Sequence, residues 1–486
     1  MIDESWAKST EYDVIVIGGG VAGLSSAFFL RRVDPTIRIS VIEREDVLGG
    51  KIRTERHDGF TIEGGPESFL TTKPGGIDLC SQLGLLSELH GPDPARQRTF
   101  VMRKSQLLPM PQGLSGLTPS RIGPFFRSSL LSPAGKLRLA LDLVIPAHLG
   151  AQDESLADFV TRRFGAEAYE RLIEALMAGI YAGDGRQLSL DATFPQLRAA
   201  ELRYGSVIRG IGKARSSAEP ARQLPVFVTP RNGMSELVRA LLEGLDNVHL
   251  HIGHEADQVA KAGGRYLVTV DNKRLTAHAL ILATPAFEAG RLLSRLNPKA
   301  ASLLRTIPYV STATVSLGYH RQDVQHPLNG YGYIIPPSEG RQILACTWMS
   351  SKYPDRAPPS HVLLRAFVGR AGQESVLNLS GDEIIGLVRR ELARTLGISR
   401  NPTIQRVFRW PDAMPQPTMG HRARIESLGA ELENSPGLFI AGNAYQGIGI
   451  PDTVDTASVA AAAAAHHLRR CKTEATGPGG MSIHAV

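Results

Sequence analysis

Three glycines, Gly18-x-Gly20-x-x-Gly23, stand between an apolar run from Tyr12 to Ile17 and a helical pattern through Leu24, Phe28 and Leu30. Placed there they suit a dinucleotide pyrophosphate. The first glycine permits a tight turn, and the second lets backbone N–H groups come close to the phosphates. The third lets helix and strand pack together. Gly19, Val21 and Ala22 complete the loop. The helix N-terminus adds its partial positive charge. Glu43 lies 20 residues past Gly23, at the end of a second apolar run, Ile37 to Ile42. A carboxylate there accepts hydrogen bonds from ribose hydroxyls and disfavours a 2′-phosphate.

Paired glycines follow: Leu48-Gly49-Gly50-Lys51, then Glu63-Gly64-Gly65-Pro66 with Glu67 and Ser68 behind it. Each pair alone reads as a turn. After the fingerprint, they allow a second backbone approach, as an extended FAD needs.

These residues must be positioned by a βαβ unit, and the rest of the chain supplies further elements. From about 75 to 225, helical patterns (155–164, 166–178) alternate with Pro-rich loops, which reads as a mostly α insertion. Strand patterns return at 248–252, 266–270 and 279–283. A cluster at 313–319, 333–335, 343–348, 362–368 and 403–408 predicts a second sheet, antiparallel or mixed. A last buried strand, Gly437 to Ala441, leads through Gly442-Asn443 into an alanine-rich helix. The expected fold is α/β: a Rossmann-like cofactor domain, a mixed-sheet substrate domain and an α-helical insertion. Expected boundaries are 1–75, 226–290 and 431–470 for the cofactor domain, 76–225 for the insertion, 291–430 for the substrate domain, and 471–486 for a disordered tail.

Composition narrows the function classes. The chain has 486 residues, 42% of them hydrophobic and 21% charged, enough for a large core. Lys+Arg (54) exceeds Asp+Glu (47), so the net charge is +7. That excess suits an anionic substrate or surface, while the lack of long charge runs argues against nucleic acid. Cys80, Cys346 and Cys471 are far apart, forming neither a metal site nor a disulfide framework, which favours a reducing cytosol. The histidine pairs His251/His254 and His466/His467 lack partners that would complete a ligand set, so no metal is expected. No apolar stretch reaches membrane-spanning length. The Leu, Phe and Arg residues of 105–150 leave open a peripheral membrane or partner contact, with ordinary core as the plainer reading. The oligomeric state stays open.

The fingerprint, acid and Leu48–Lys51 run resemble the FAD-binding amine oxidase superfamily. More narrowly, Gly179–Asp184, Leu188-Ser189, Thr193–Pro195, Phe408–Trp410, Met414–Gln416, Gly420-His421 and Gly442–Asp452 resemble the FAD-dependent porphyrinogen oxidases of haem synthesis. The resemblance covers residues 12 to about 465. Ala345–Trp348, Leu364–Gly369 and Gly449–Asp452 resemble the soluble bacterial branch that oxidises coproporphyrinogen III and tolerates protoporphyrinogen IX.

The resemblance implies a six-electron oxidation of a porphyrinogen, with FAD passing electrons to O₂ and releasing H₂O₂. It assigns Gly18 to Gly23, Glu43, Gly50, Lys51, Gly65, Pro66, Glu67, Ser68, Val259, Gly442, Ile448, Gly449 and Ile450 to the cofactor. On the substrate side it implies Arg98 and Lys73 for propionates, Ile335 and Phe367 against the macrocycle, and Gly179 facing it. Lys51 stands where many relatives carry Arg or Trp. No protein base is implied. The rivals are a flavin amine oxidase, a carotenoid desaturase, and a non-catalytic protein holding FAD structurally.

Overall fold

The computed structural model describes residues 10–111, 123–150, 152–216 and 224–476, with short strand pieces at 114–115 and 118–119. The fingerprint strand, Glu11–Ile17, lies inside a seven-stranded sheet. It pairs in parallel with Ile39–Glu43 on one side and with Lys273–Leu282 on the other. Val248–Ile252 extends the first edge, and the antiparallel hairpin Ala256–Ala262/Arg265–Val270 the second. Leu438–Ile440 pairs in parallel with the far end of Lys273–Leu282.

This sheet explains why Glu11–Ile17 is apolar throughout rather than alternating: both faces are covered. Val14 and Val16 pack among the helices Val21–Val33 and Ile450–Thr476, while Tyr12, Ile15 and Ile17 pack into the core on the other face. Segments from residues 11–43 and 438–476 therefore belong to one sheet and the helices packed on it.

A second seven-stranded sheet runs in the order Ile404–Pro415, Tyr309–His320, His361–Val368, Ile343–Trp348, Gly332–Ile334, Thr99–Arg103, Gln106–Pro109. Its pairs are antiparallel except that of Gly332–Ile334 with Thr99–Arg103. One face buries Ile343, Cys346, Trp348 and Ile335 together with Ile384, Leu387 and Val388 of the helix Gly381–Leu396. That helix starts on a Ser380/Glu383 capping box. The other face meets the helical lobe.

Strands 99–109 lie within the stretch read as helical, yet they join this sheet. Their hairpin turns at Lys104 and Ser105, both at positive φ, and Glu339 receives the two backbone N–H groups. A Lys-Ser turn lacks the Asn-Gly signature that marks such hairpins in sequence.

The lobe comprises the helices Leu156–Phe164, Glu174–Tyr181, Pro195–Tyr204 and Val207–Ser216 among shorter pieces. The last helix of the chain continues to Thr476, six residues into the segment expected as a tail. Residues 477–486 lie outside the described residues. Among the described residues no helix is long and apolar enough to cross a membrane.

Candidate active site

The fingerprint forms a cradle of backbone. A Cβ on Gly23 would lie 1.8 Å from the Gly18 carbonyl oxygen, so only glycine lets helix and strand meet. The helix Val21–Val33 begins at Gly20 with no side chain capping its first-turn N–H groups. Glu43 accepts the Gly19 N–H (2.6 Å) and the Glu45 N–H (2.9 Å), which fixes its carboxylate at the strand end. The Gly49 N–H donates to the Gly19 carbonyl (2.9 Å), and a Cβ on Gly50 would sit 3.1 Å from the Gly20 Cα. Two glycine backbones thus face each other at the helix N-terminus.

The second glycine pair is locked to the first. A Cβ on Gly65 would fall 1.7 Å from the Lys51 carbonyl oxygen. Lys51 itself turns inward, its Nζ donating to the Ala413 carbonyl, and burial pushes its ammonium down to about 8. The Gly64 carbonyl accepts from Thr314 Oγ1 (2.8 Å), Trp410 Nε1 (2.9 Å) and Arg365 Nη2 (3.2 Å), all on strands of the second sheet. Arg365 also donates to the Gly65 carbonyl. Glu67 pairs with Lys352 (2.5 Å) and Arg365 (3.3 Å). Although burial opposes its charge, these cations bring the Glu67 carboxyl below its ordinary value. Gly64 to Ser68 is therefore a strap tying the cradle to the second sheet.

Beyond the strap lies a seam. Ile334 and Ala345 of the sheet share an apolar cluster with Ala178 and Tyr181 of the lobe, and Phe367 and Ile448 pack against its edge. Gly179 is exposed beside Ile334, where an added Cβ would come to 3.8 Å from the Ile334 side chain. The structure thus gathers Gly179, Phe367 and Ile448.

Other nominated residues fall elsewhere. Ile335 is fully buried on the opposite face of the sheet, because successive side chains alternate; its neighbour Ile334 occupies the seam. Val259 is buried in the core of the hairpin strand Ala256–Ala262. Arg98 is exposed at the start of the strand Thr99–Arg103, with its carbonyl receiving the Tyr331 N–H (2.7 Å). Lys73 is half-exposed and paired with Asp452 (2.6 Å). Asp452 also accepts the Gly449 N–H (3.3 Å), and its carboxylate leaves no room for a side chain on Gly447. Gly442 is buried, donating its N–H to Thr456 Oγ1 (3.0 Å). Ile450 opens the C-terminal helix.

Residues 21–465 match the family described as flavin containing amine oxidoreductase. The chain belongs to this family. It is 36% identical over 465 residues to coproporphyrinogen III oxidase of Bacillus subtilis, covering 94% of this chain and 98% of that one. With protoporphyrinogen oxidase 1, chloroplastic, of Arabidopsis thaliana it shares 30% identity, over 92% and 86% of the two chains. A wild-type putrescine oxidase structure superposes with a TM-score of 0.63 at 17% identity, covering 93% and 99% of the chains, which shows the shared fold.

The flavin cofactor of the family is FAD, and the cradle fits it. The uncapped helix N-terminus and the facing glycines Gly20 and Gly50 leave room for phosphates. Thr284 Oγ1, buried without a partner beside the Ala283 backbone that packs on Gly18, offers a further polar atom. When bound, FAD supplies the hydride-accepting chemistry. Sequence reasoning nominated Glu67 but missed Arg365, Lys352 and Trp410, which hold its strap. The signal for Arg365 was one cation inside an otherwise apolar strand, His361–Val368.

Proposed function

We propose that this flavoenzyme oxidises a porphyrinogen to the porphyrin in haem biosynthesis, with coproporphyrinogen III as the preferred substrate. The observation that carries the reading is the near full-length match to the Bacillus subtilis coproporphyrinogen III oxidase. The site is consistent with it: an apolar seam around Gly179, Ile334 and Phe367 lies beside a strap that borders the cradle. Three two-electron rounds remove six hydrogen atoms from the macrocycle, and three O₂ leave as H₂O₂.

This chain's own residues bind and orient. Glu43 would hold the ribose of a bound FAD and the Val21–Val33 helix N-terminus its phosphates. The strap would tie the cofactor's surroundings to the second sheet. Arg98 and Lys73 are the cations offered to propionates. The 105–150 segment exposes Leu137, Val144 and Leu149 together with Arg127, which supports a peripheral contact with an anionic membrane surface.

Anaerobic mixing of the yellow protein with coproporphyrinogen III, and separately with protoporphyrinogen IX, tests the reading. Flavin bleaching followed by porphyrin fluorescence after admitting air is the expected result, faster with coproporphyrinogen III. A flavin that stays oxidised with both would overturn the reading in favour of an amine or polyene substrate.

A further inference from the structure

The strap is surrounded by more charge than its shape requires. Around Gly64 to Ser68 stand three buried or nearly buried cations, Lys352, Arg356 and Arg365, and two carboxylates, Glu63 and Glu67. Glu63 and Arg356 are fully buried 3.9 Å apart, and Glu63 also accepts from Thr54 Oγ1 (2.8 Å) and the Met234 N–H (2.9 Å). Glu67 faces two cations at once.

Lys352 is held by more than Glu67. Its Nζ lies 5.4 to 5.9 Å from the ring centroids of Phe227, Tyr331 and Tyr353, an aromatic enclosure that favours the ammonium. Arg365 rests over the Phe367 ring at 4.8 Å, and its Nε is buried without a partner. Ser316, its cross-strand neighbour, also has a buried, unpartnered Oγ. Holding this much charge out of water is costly unless it serves something. Packing alone would be met by apolar residues of similar volume.

A chain of contacts links this charge to the cofactor cradle. Gly19 and Gly20 meet Gly49 and Gly50, Lys51 meets Gly65, and Gly65 meets Arg365. Arg365 lies at the junction, with the strap on one side and Phe367, at the edge of the seam, on the other.

We propose that the Glu67–Lys352–Arg365 cluster is an electrostatic positioning device for the flavin: its surplus positive charge favours the reduced, more negative ring while Arg365 fixes the strap to the second sheet. The inference rests on the cradle binding FAD. It adds that the driving force for the hydride steps is set partly by residues that touch the strap rather than the substrate. Fixed charge near a flavin ring is one of the few means a protein has to tune it. In a buried site such charge acts with little screening.

The proposal makes opposite-signed predictions that mere structural damage does not. Glu67→Gln removes the carboxylate that Lys352 and Arg365 both pair with, leaving Glu63 as the remaining buried carboxylate, and makes the flavin easier to reduce. Lys352→Met and Arg365→Met each leave one ion pair and make it harder to reduce. Arg365→Lys keeps the charge and stays close to wild type in potential, though with a looser strap.

The measurement is the reduction equilibrium of bound FAD against a redox dye, followed by absorbance, with no porphyrinogen present. The expected shifts are about tenfold in that equilibrium, up for Glu67→Gln and down for the two methionine variants. Shifts in one common direction, or all within about twofold of wild type, overturn the proposal. If one methionine variant fails to fold, the other against Glu67→Gln decides. Because no porphyrinogen is used, a wrong substrate leaves this test intact. A wild-type protein that holds no FAD would instead refute the underlying reading along with the proposal.

Discussion

The cofactor cradle and the helical lobe solve the same problem, holding a fixed shape, with opposite means. The cradle uses almost no side chains: Gly23 against Gly18, Gly50 against Gly20 and Gly65 against Lys51 are contacts of bare backbone. The lobe is held by a buried charge network. Arg163, fully buried, pairs with Asp142 (2.5 Å) and approaches Glu201 (3.5 Å), and it donates to the carbonyls of Ile145 (3.0 Å) and Gly205 (2.9 Å). Asp142 in turn accepts from Ser206 Oγ (2.6 Å) and the Ile208 N–H (2.9 Å). Backbone contacts tolerate no substitution, whereas a charge network fails only when a partner is left alone.

The largest effect is therefore expected in the cradle. Gly65→Val places its Cβ inside the Lys51 carbonyl, and neither backbone can retreat without moving the strap. A loss on the order of 4 kcal/mol or more is expected, together with loss of bound flavin, read by denaturant unfolding and by the absorbance of the purified protein. A Gly65→Val protein that stays yellow and stable would show that the strap is looser than its contacts imply.

In the lobe, Arg163→Met strands Asp142 and part of Glu201 as buried charges, at a cost of about 3–5 kcal/mol. Arg162 also binds Glu201 (2.7 Å) but is partly exposed, and Glu201 keeps Arg163 and Arg198 when it is removed. Arg162→Met is expected to cost on the order of 1 kcal/mol. Flavin content should survive both changes. Loss of FAD in Arg163→Met would mean that lobe and cradle fold as one unit and that the contrast between them is only local.

The same contrast explains what could be read from the sequence. Gly18, Gly20, Gly23 and Glu43 were legible because a strand, a turn and a helix place them within one local unit. The strap was half legible: Gly65 and Glu67 belong to a glycine motif, but Lys352 lies 285 residues from Glu67 and no local pattern joins them. Ile335 was nominated beside the macrocycle, but its side chain lies on the sheet face away from the seam, which Ile334 lines. Strand period is two, the strand ends at Ile334, and one residue of offset exchanges the two faces. The strands at 99–109 were hidden by Pro-rich surroundings and a Lys-Ser turn. Arg163 reads as one more basic residue in a helix until Asp142 is folded against it.

A smaller effect distinguishes the lobe's junction with the cofactor domain. His421, at the start of the helix His421–Glu433, is held down to about 4 by burial and then by the Arg424 guanidinium. Its folded value lies below the unfolded one, so the unfolded chain binds the extra proton between about pH 6.5 and 4. Stability should fall as pH is lowered through that window, by roughly 2–3 kcal/mol. Equilibrium unfolding across that range checks it, and His421→Gln should flatten this part of the profile. An unchanged slope in the variant would assign the acid sensitivity to other groups.

The smallest effect concerns Lys73, a half-exposed cation paired with Asp452 at the start of the C-terminal helix. Its bridge to Asp452 is half-exposed, so Lys73→Met should cost only about 0.5 kcal/mol of stability. Its role in binding is separable from that. If Lys73 exchanges Asp452 for a substrate propionate, its removal raises KM several-fold with little change in kcat. The rise should be greater for coproporphyrinogen III, with four propionates, than for protoporphyrinogen IX, with two. Asp452→Asn should act in the opposite sense, because it releases Lys73 while its side-chain oxygen can still accept the Gly449 N–H. Steady-state rates for both substrates with both variants decide the matter. Equal KM changes for the two porphyrinogens, or none, would leave Lys73 as the counter-ion of Asp452, and substrate charge would then be met elsewhere, with Arg98 the next cation to replace.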